Sequence, residues 1–170
     1  MPAPMPPLRF ARVDSPIGPR LVAETDRGVT AVASADELAG FLAELRRRFS
    51  GVEPEPADLD GRWLVEALGG GALPAVDLHG LTAFDARVYR AVRTIPPGET
   101  MTYGELAALV GSPGAARAVG GAMARCPLFP AVPCHRVVRA SDGWSGWGGD
   151  HRLKRRLLEA EAGRARGRES

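Results

Sequence analysis

Cys134 lies in the run Pro133-Cys134-His135-Arg136-Val137-Val138, and the other cysteine, Cys126, is eight residues upstream. A thiol reacts as thiolate, and free cysteine is only a few per cent thiolate near neutral pH. A base and a carboxylate held nearby would change that. His135 is adjacent in sequence, and Glu161, near the end of the last expected helix, is a candidate to orient its imidazole. Neighbours in a regular strand point to opposite faces. Cys134 and His135 can therefore cooperate only through an irregular backbone or a bridging water, and Pro127, Pro130 and Pro133 favour irregularity. The alternative is a buried strand end with no chemistry.

The elements that must position this pair follow from periodicity and turn residues. Leu8 to Val13, Arg20 to Ala23 and Val29 to Ala33 read as short strands around a Ser15-Pro16-Ile17-Gly18-Pro19 turn and an Asp26-Arg27-Gly28 turn. Asp36 to Phe49 reads as a helix with Leu38, Phe41, Leu42, Leu45 and Phe49 on one face, capped by Ser34 or Asp36. Pro54 and Pro56 end that pattern, and Gly69-Gly70-Gly71 with Pro74 mark a linker. Phe84, Val88, Ala91, Val92 and Ile95 form a helical stripe stopped by Pro96-Pro97-Gly98. Thr102 with Glu105 makes a capping box for a helix to Val110. Ser112 and Pro113 would start another, running to about Arg125. Two helices across a Gly111-Ser112 turn fit a helix-turn-helix, although an αα-hairpin without a nucleic-acid role is commoner. The second of these helices is built from small residues with Arg117 reaching out, which suits sequence-independent binding or tight core packing better than base readout. A final helix spans Asp150 to Glu161.

Composition sets the frame. At 170 residues, 45% hydrophobic and 25% charged, the chain fits one domain or two small ones sharing a core. Two cysteines are too few for a disulfide scaffold and point to a reducing compartment. The start lacks a basic region followed by an apolar one, and no apolar run has the ~20 residues a membrane helix needs, so a cytoplasmic monomer without membrane contact is expected. The formal net charge of +2 hides an asymmetry: residues 1–80 carry 8 Lys and Arg against 12 Asp and Glu, and residues 81–170 carry 14 against 8. A basic half holding both cysteines suggests a polyanionic partner; a solvated basic face is the plain alternative.

Taken together, the cysteine run, Ile95-Pro96-Pro97-Gly98-Glu99-Thr100, Thr102-Tyr103-Gly104-Glu105-Leu106-Ala107, Ala115 to Met123, the glycine-rich loop at 141–149 and Leu157-Leu158-Glu159-Ala160-Glu161 resemble the O6-alkylguanine-DNA alkyltransferases. The resemblance covers roughly 83–163; the first 80 residues fit the family's variable domain only in outline. It implies an α+β fold, with a ribonuclease-H-like unit over 1–80 and a helix-turn-helix, winged-helix-like alkyltransferase domain over 81–163. Residues 164–170 are expected as a disordered basic tail. It further implies that Cys134 irreversibly accepts a methyl or small alkyl group from O6 of guanine in duplex DNA, after the base is flipped out. His135 acts through water as base, Glu161 orients it, and Tyr103 assists extrusion and protonates the departing guanine. Arg117 fills the vacated stack from the minor groove, with Ala116, Ala118, Gly120, Gly121, Thr102, Arg125 and Arg136 along the DNA. Met123, Phe129, Trp147 and Gly148 border the base pocket. No cofactor or metal is implied.

The chain departs from the pattern at Cys126, where the family has a hinge asparagine, and a thiol is a poor hydrogen-bonding substitute. Three readings follow. Backbone contacts compensate and repair persists; the protein recognises lesions without repairing them; or Cys126, Cys134 and His135 form a redox or metal pair. Phe129 and Pro130 stand where smaller or more flexible residues are usual in the family, which predicts poor accommodation of large O6-substituents, and Trp147 stands where it often has tyrosine, the indole being wider and donor-only. A pKa drop of ~3 units would raise the thiolate fraction roughly 30-fold. Nucleophilicity would fall roughly 20-fold for a Brønsted slope of ~0.45. The two nearly cancel, so positioning and leaving-group protonation must supply most of the acceleration.

Overall fold

The computed structural model describes residues 3–143 and 150–169. Strands β1 (Arg9–Val13), β2 (Arg20–Thr25) and β3 (Gly28–Ser34) form an antiparallel meander. The expected turn at 15–19 closes through Gly18 N–H on Ser15 O at 3.0 Å, with Gly18 at φ 92°. Helix α1 (Leu38–Arg48) buries Phe41 and Leu45 as its periodicity predicts. It starts later than expected: Glu37 is at the N-cap, and no side chain caps it.

Two elements were not foreseen. β4 (Glu55–Pro56) runs parallel to β1 at the sheet edge, which is where a proline is tolerated. Helix α2 (Arg62–Leu68) is only seven residues long and opens where the Asp60 carboxylate accepts from Arg62 N–H at 3.0 Å. Neither is long enough to show a period.

Helix α3 (Ala83–Val92) is capped by the Thr82 hydroxyl, which accepts from Asp85 N–H. β5 (Met101–Thr102) leads directly into α4 (Tyr103–Leu109), whose Thr102–Glu105 capping box has both bonds, at 3.0 and 3.1 Å. Helix α5 (Ala116–Ala124) begins three to four residues later than Ser112 and Pro113 suggest. Gly114 has φ 88°, a left-handed conformation that cannot continue a helix, so the turn between α4 and α5 extends through it. β6 (Val137–Val138) pairs in parallel with β5. Helix α6 (His151–Glu169) includes the segment expected as a disordered tail. It is anchored there by Ala165, which packs so closely on Gly98 that a Cβ on that glycine would lie 2.7 Å from Ala165 Cβ.

The halves share one core. Val22, Val29 and Leu64 pack with Val88, Tyr89, Leu106, Val119, Val137 and Cys134, while Leu8, Leu21, Phe41, Leu45 and Phe49 make a smaller cluster under α1. Among the described residues no helix is long and apolar enough to cross a membrane.

Candidate active site

Cys134 is neither in a strand nor in open loop. Residues Cys134–Arg136 form a single 3-10 turn, closed by Arg136 N–H on Pro133 O at 3.0 Å, and the chain then enters β6. This answers the geometric objection raised by an extended chain: the turn removes the two-residue alternation that would set Cys134 and His135 on opposite faces. Cys134 is fully buried.

Helix α6 supplies the carboxylate. Glu161 Oε1 lies 2.7 Å from His135 Nε2, and both side chains are buried. The Arg136 guanidinium donates to Glu161 through Nε at 3.0 Å and Nη2 at 2.9 Å, and through Nη1 to Ile95 O at 2.8 Å. Burial pushes the Glu161 carboxyl up, but hydrogen bonds from His135 and Arg136 outweigh it and hold the group down to about 2. Burial pushes the His135 imidazole the other way from its carboxylate partner, below its ordinary value. Arg136 already balances the carboxylate charge, so the imidazole rests neutral. Its Nε2–H donates to Glu161, which leaves Nδ1 with a lone pair; this atom is buried and has no hydrogen-bond partner among the described residues. Phe129 meets the imidazole edge-on, with centroids 5.8 Å apart.

Burial pushes the Cys134 thiol well up, and a hydrogen-bonded contact with the Cys126 thiol adds to this. Both effects favour the protonated thiol of Cys134 over its thiolate. Cys126 is half-buried beside a cavity of about 230 Å³, lined also by Val32, Phe129, Asp150 and Leu153.

Tyr103 is positioned from the other side. The β5–β6 pairing couples Met101 to Val137 and Thr102 to Val138, so the first residue of α4 is fixed relative to the Cys134 turn. Its ring lies over Gly120 of α5, 4.0 Å from where a Cβ would be. Helix α5 buries Val119, Ala122 and Met123 and presents Arg117, Ala118 and Ala124 to solvent. Below it, the Tyr89 hydroxyl donates to Ala122 O at 2.7 Å.

The structure places three of the expected site residues in contacts that the sequence does not show. Arg136 does not project to a surface: it is 2% exposed and fully engaged by Glu161 and Ile95 O. Met123 is 1% exposed within the core. Arg125 is exposed but lies over Gly121 and pairs with Asp85 at 3.0 Å. Trp147 and Gly148 lie outside the described residues. One buried group went unnoticed in the sequence. Lys154 has no exposed surface, and its Nζ donates to Val137 O at 2.6 Å. The signal was present, because Lys154, Leu157, Leu158 and Glu161 recur at helical spacing along one face of α6.

Residues 83–163 match the family model described as the DNA binding domain of 6-O-methylguanine DNA methyltransferase. The methylated-DNA–protein-cysteine methyltransferase of Mycobacterium tuberculosis (strain ATCC 25618 / H37Rv) is 39% identical over 173 residues, covering 93% of this chain and 94% of that protein. The chain belongs to the methylated-DNA–protein-cysteine methyltransferase family. A crystal structure of Mycobacterium tuberculosis OGT in complex with DNA superposes with a TM-score of 0.71 at 37% identity, covering 92% of this chain and 94% of that one. The bifunctional transcriptional activator/DNA repair enzyme Ada of Escherichia coli (strain K12) is 39% identical over 162 residues; the match covers 91% of this chain but 46% of Ada. The chain thus spans about half the length of the Ada-type relatives it matches. In this chain the Cys134–His135–Glu161 constellation and the α4–α5 pair fall within the matched 83–163 segment.

Proposed function

We propose that this chain is a single-turnover DNA repair protein that moves a methyl or small alkyl group from O6 of guanine in duplex DNA to Cys134. The observation that carries the reading is the buried His135–Glu161 pair one residue from a buried thiol, with Nδ1 of the imidazole left as a base. In the step, a water relays the Cys134 proton to His135 Nδ1. Sγ forms a bond to the alkyl carbon, the carbon–O6 bond breaks, and its electron pair passes into the guanine. The Tyr103 hydroxyl donates a proton to the departing base. The product thioether has no leaving group that water can displace, so each molecule acts once.

An O6 substituent inside a duplex is out of reach of a buried thiol, so the base must be extruded. Exposed Arg117 on α5 suits entry into the vacated stack from the minor groove, and the small residues beside it suit a close backbone approach. The chain then divides into a ribonuclease-H-like unit over 1–80 and a winged-helix-like alkyltransferase domain over 81–163, both contributing residues to one core.

The direct test follows the DNA. A duplex with one O6-methylguanine, incubated with excess protein and digested to nucleosides, should return guanine in place of the lesion, and Cys134→Ala should leave the lesion intact. Repair by Cys134→Ala at the parent's rate would defeat the assignment. A second reading, lesion recognition without repair, is favoured by one feature: burial and the Cys126 contact hold the Cys134 thiol protonated. It predicts lesion-dependent binding with the lesion unchanged over hours.

A further inference from the structure

Cys126 is the second thiol of the chain, and the reaction as described gives it no part. It follows α5, with its N–H on Met123 O at 3.3 Å, and it packs against the core cluster that contains Cys134. The chain between the two thiols does not run straight. Val32 N–H holds Pro127 O at 2.7 Å, Val132 N–H reaches back to Leu128 O at 2.9 Å, and Leu128, Ala131 and Val132 are buried. The folded-back segment brings its ends together, so that the Cys126 and Cys134 side chains share a hydrogen-bonded contact. Their access differs. Cys134 is fully buried, whereas Cys126 is half-buried and lines the cavity of about 230 Å³ with Val32, Phe129 and Leu153. Phe129 in turn meets the His135 imidazole, whose buried Nδ1 has no hydrogen-bond partner among the described residues.

We propose that Cys126 and Cys134 are a peroxide-responsive dithiol that closes to an intramolecular disulfide, with Cys126 the thiol oxidised first and Cys134 the thiol that resolves it. A more accessible thiol beside a buried partner is the arrangement in which a sulfenic acid is captured before it is oxidised further. Closure of the bond rests on the contact between the two side chains. Its consequence, an acceptor withdrawn from use, rests on Cys134 being the alkyl acceptor.

One molecule of hydrogen peroxide balances the reaction. The Cys126 sulfur attacks a peroxide oxygen, the O–O bond breaks, and water leaves as Cys126 becomes a sulfenic acid. Cys134 then passes its proton through water to His135 Nδ1, and its Sγ attacks the Cys126 sulfur. The S–O bond breaks, and the departing hydroxide takes up that proton as a second water. Two thiols have lost two electrons and the peroxide has gained them. A dithiol reverses the bond by exchange, whereas the thioether left by alkyl transfer is permanent. The disulfide therefore stores the acceptor in a form that reducing conditions return. Asparagine, the residue of the family pattern at this position, has no sulfur to offer, so the device belongs to the substitution at Cys126.

The test reads sulfur chemistry apart from repair. The full chain is treated with hydrogen peroxide, blocked with N-ethylmaleimide and digested with trypsin, which releases both thiols in the single peptide Cys126–Arg136. That peptide should be lighter by two hydrogens and carry no maleimide, and dithiothreitol before blocking should restore both labelling sites. In Cys134→Ser the sulfenic acid has no resolving thiol, so dimedone should label Cys126. Transfer from O6-methylguanine duplex should be largely lost in the oxidised parent and return with dithiothreitol. A peptide that gains oxygen without losing two hydrogens, a disulfide found only between two molecules, or a Cys126 that takes no dimedone would overturn the proposal. A closed disulfide with transfer undiminished would uphold the dithiol and overturn Cys134 as the acceptor.

Discussion

His135 Nε2 lies 2.7 Å from Glu161 Oε1, and both groups are shut away from water. Because Arg136 grips the same carboxylate at 2.9 and 3.0 Å, the acid is a fixed anion and the imidazole must point its remaining lone pair elsewhere. The tautomer of His135 is therefore set by α6, through a residue 26 positions along the chain from it.

Replacing Glu161 by Gln should damage both stability and chemistry. The variant leaves the Arg136 guanidinium buried without its counter-ion, a loss of about 3–5 kcal/mol by comparison with other broken buried pairs. The amide can present either an oxygen or an N–H to His135, so the tautomer is no longer dictated. Urea unfolding should show the lower midpoint, and alkyl transfer under excess protein should slow at least tenfold.

Acid should unfold the protein in two stages. Glu161 is held at about 2 in the fold against an ordinary 4.5, so its contribution is fully present above about 4.5 and disappears as pH falls towards 2. His135 is held below its ordinary 6.5, so the unfolded chain takes up a proton that the folded chain refuses, and stability begins to fall below about 6.5. Urea midpoints at pH 7.5, 5.5 and 3.5 should decline in that order, and His135→Gln should flatten the first stage.

Arg117 and Arg136 should separate cleanly. Exposed Arg117 replaced by Ala should leave unfolding within about 0.5 kcal/mol of the parent. Transfer from duplex DNA should slow, while iodoacetamide reacts with Cys134 as before. Arg136→Ala should instead unfold at much lower urea, since it strips Glu161 and Ile95 O of their donor.

Cys126→Ser should make Cys134 more reactive. The Cys126 thiol raises its neighbour, whereas a serine hydroxyl can donate to a thiolate without ionising itself. The alkylation profile of Cys134 should therefore shift to lower pH. A shift to higher pH would mean that Cys126 assists the nucleophile.

The parts of this architecture visible in the sequence are those with local physical signatures. Thr102 and Glu105 are three apart ahead of an apolar run, and the capping box they announce is formed. The meander of β1, β2 and β3 follows from alternation and turn residues, and Phe41 and Leu45 fall inward as their spacing requires. Helix α5 starts later than Ser112-Pro113 predicts because Gly114, at positive φ, overrides that local signal. The burial of Arg136 was hidden for another reason. An arginine beside a candidate nucleophile, in a chain expected to bind DNA, reads as a phosphate ligand until the carboxylate that captures it arrives from α6. Lys154 is different: a lysine among arginines looks like surface, yet its helical spacing with Leu157, Leu158 and Glu161 already marks the inward face on which Val137 O meets it.

The most direct measurement is peptide-resolved mass spectrometry of the protein after incubation with a duplex bearing one O6-methylguanine. The account predicts a single methyl group on Cys134, none on Cys126, and no further uptake when fresh lesion is added. Methyl on Cys126, or an unmodified Cys134 from a protein that has restored guanine, would contradict it.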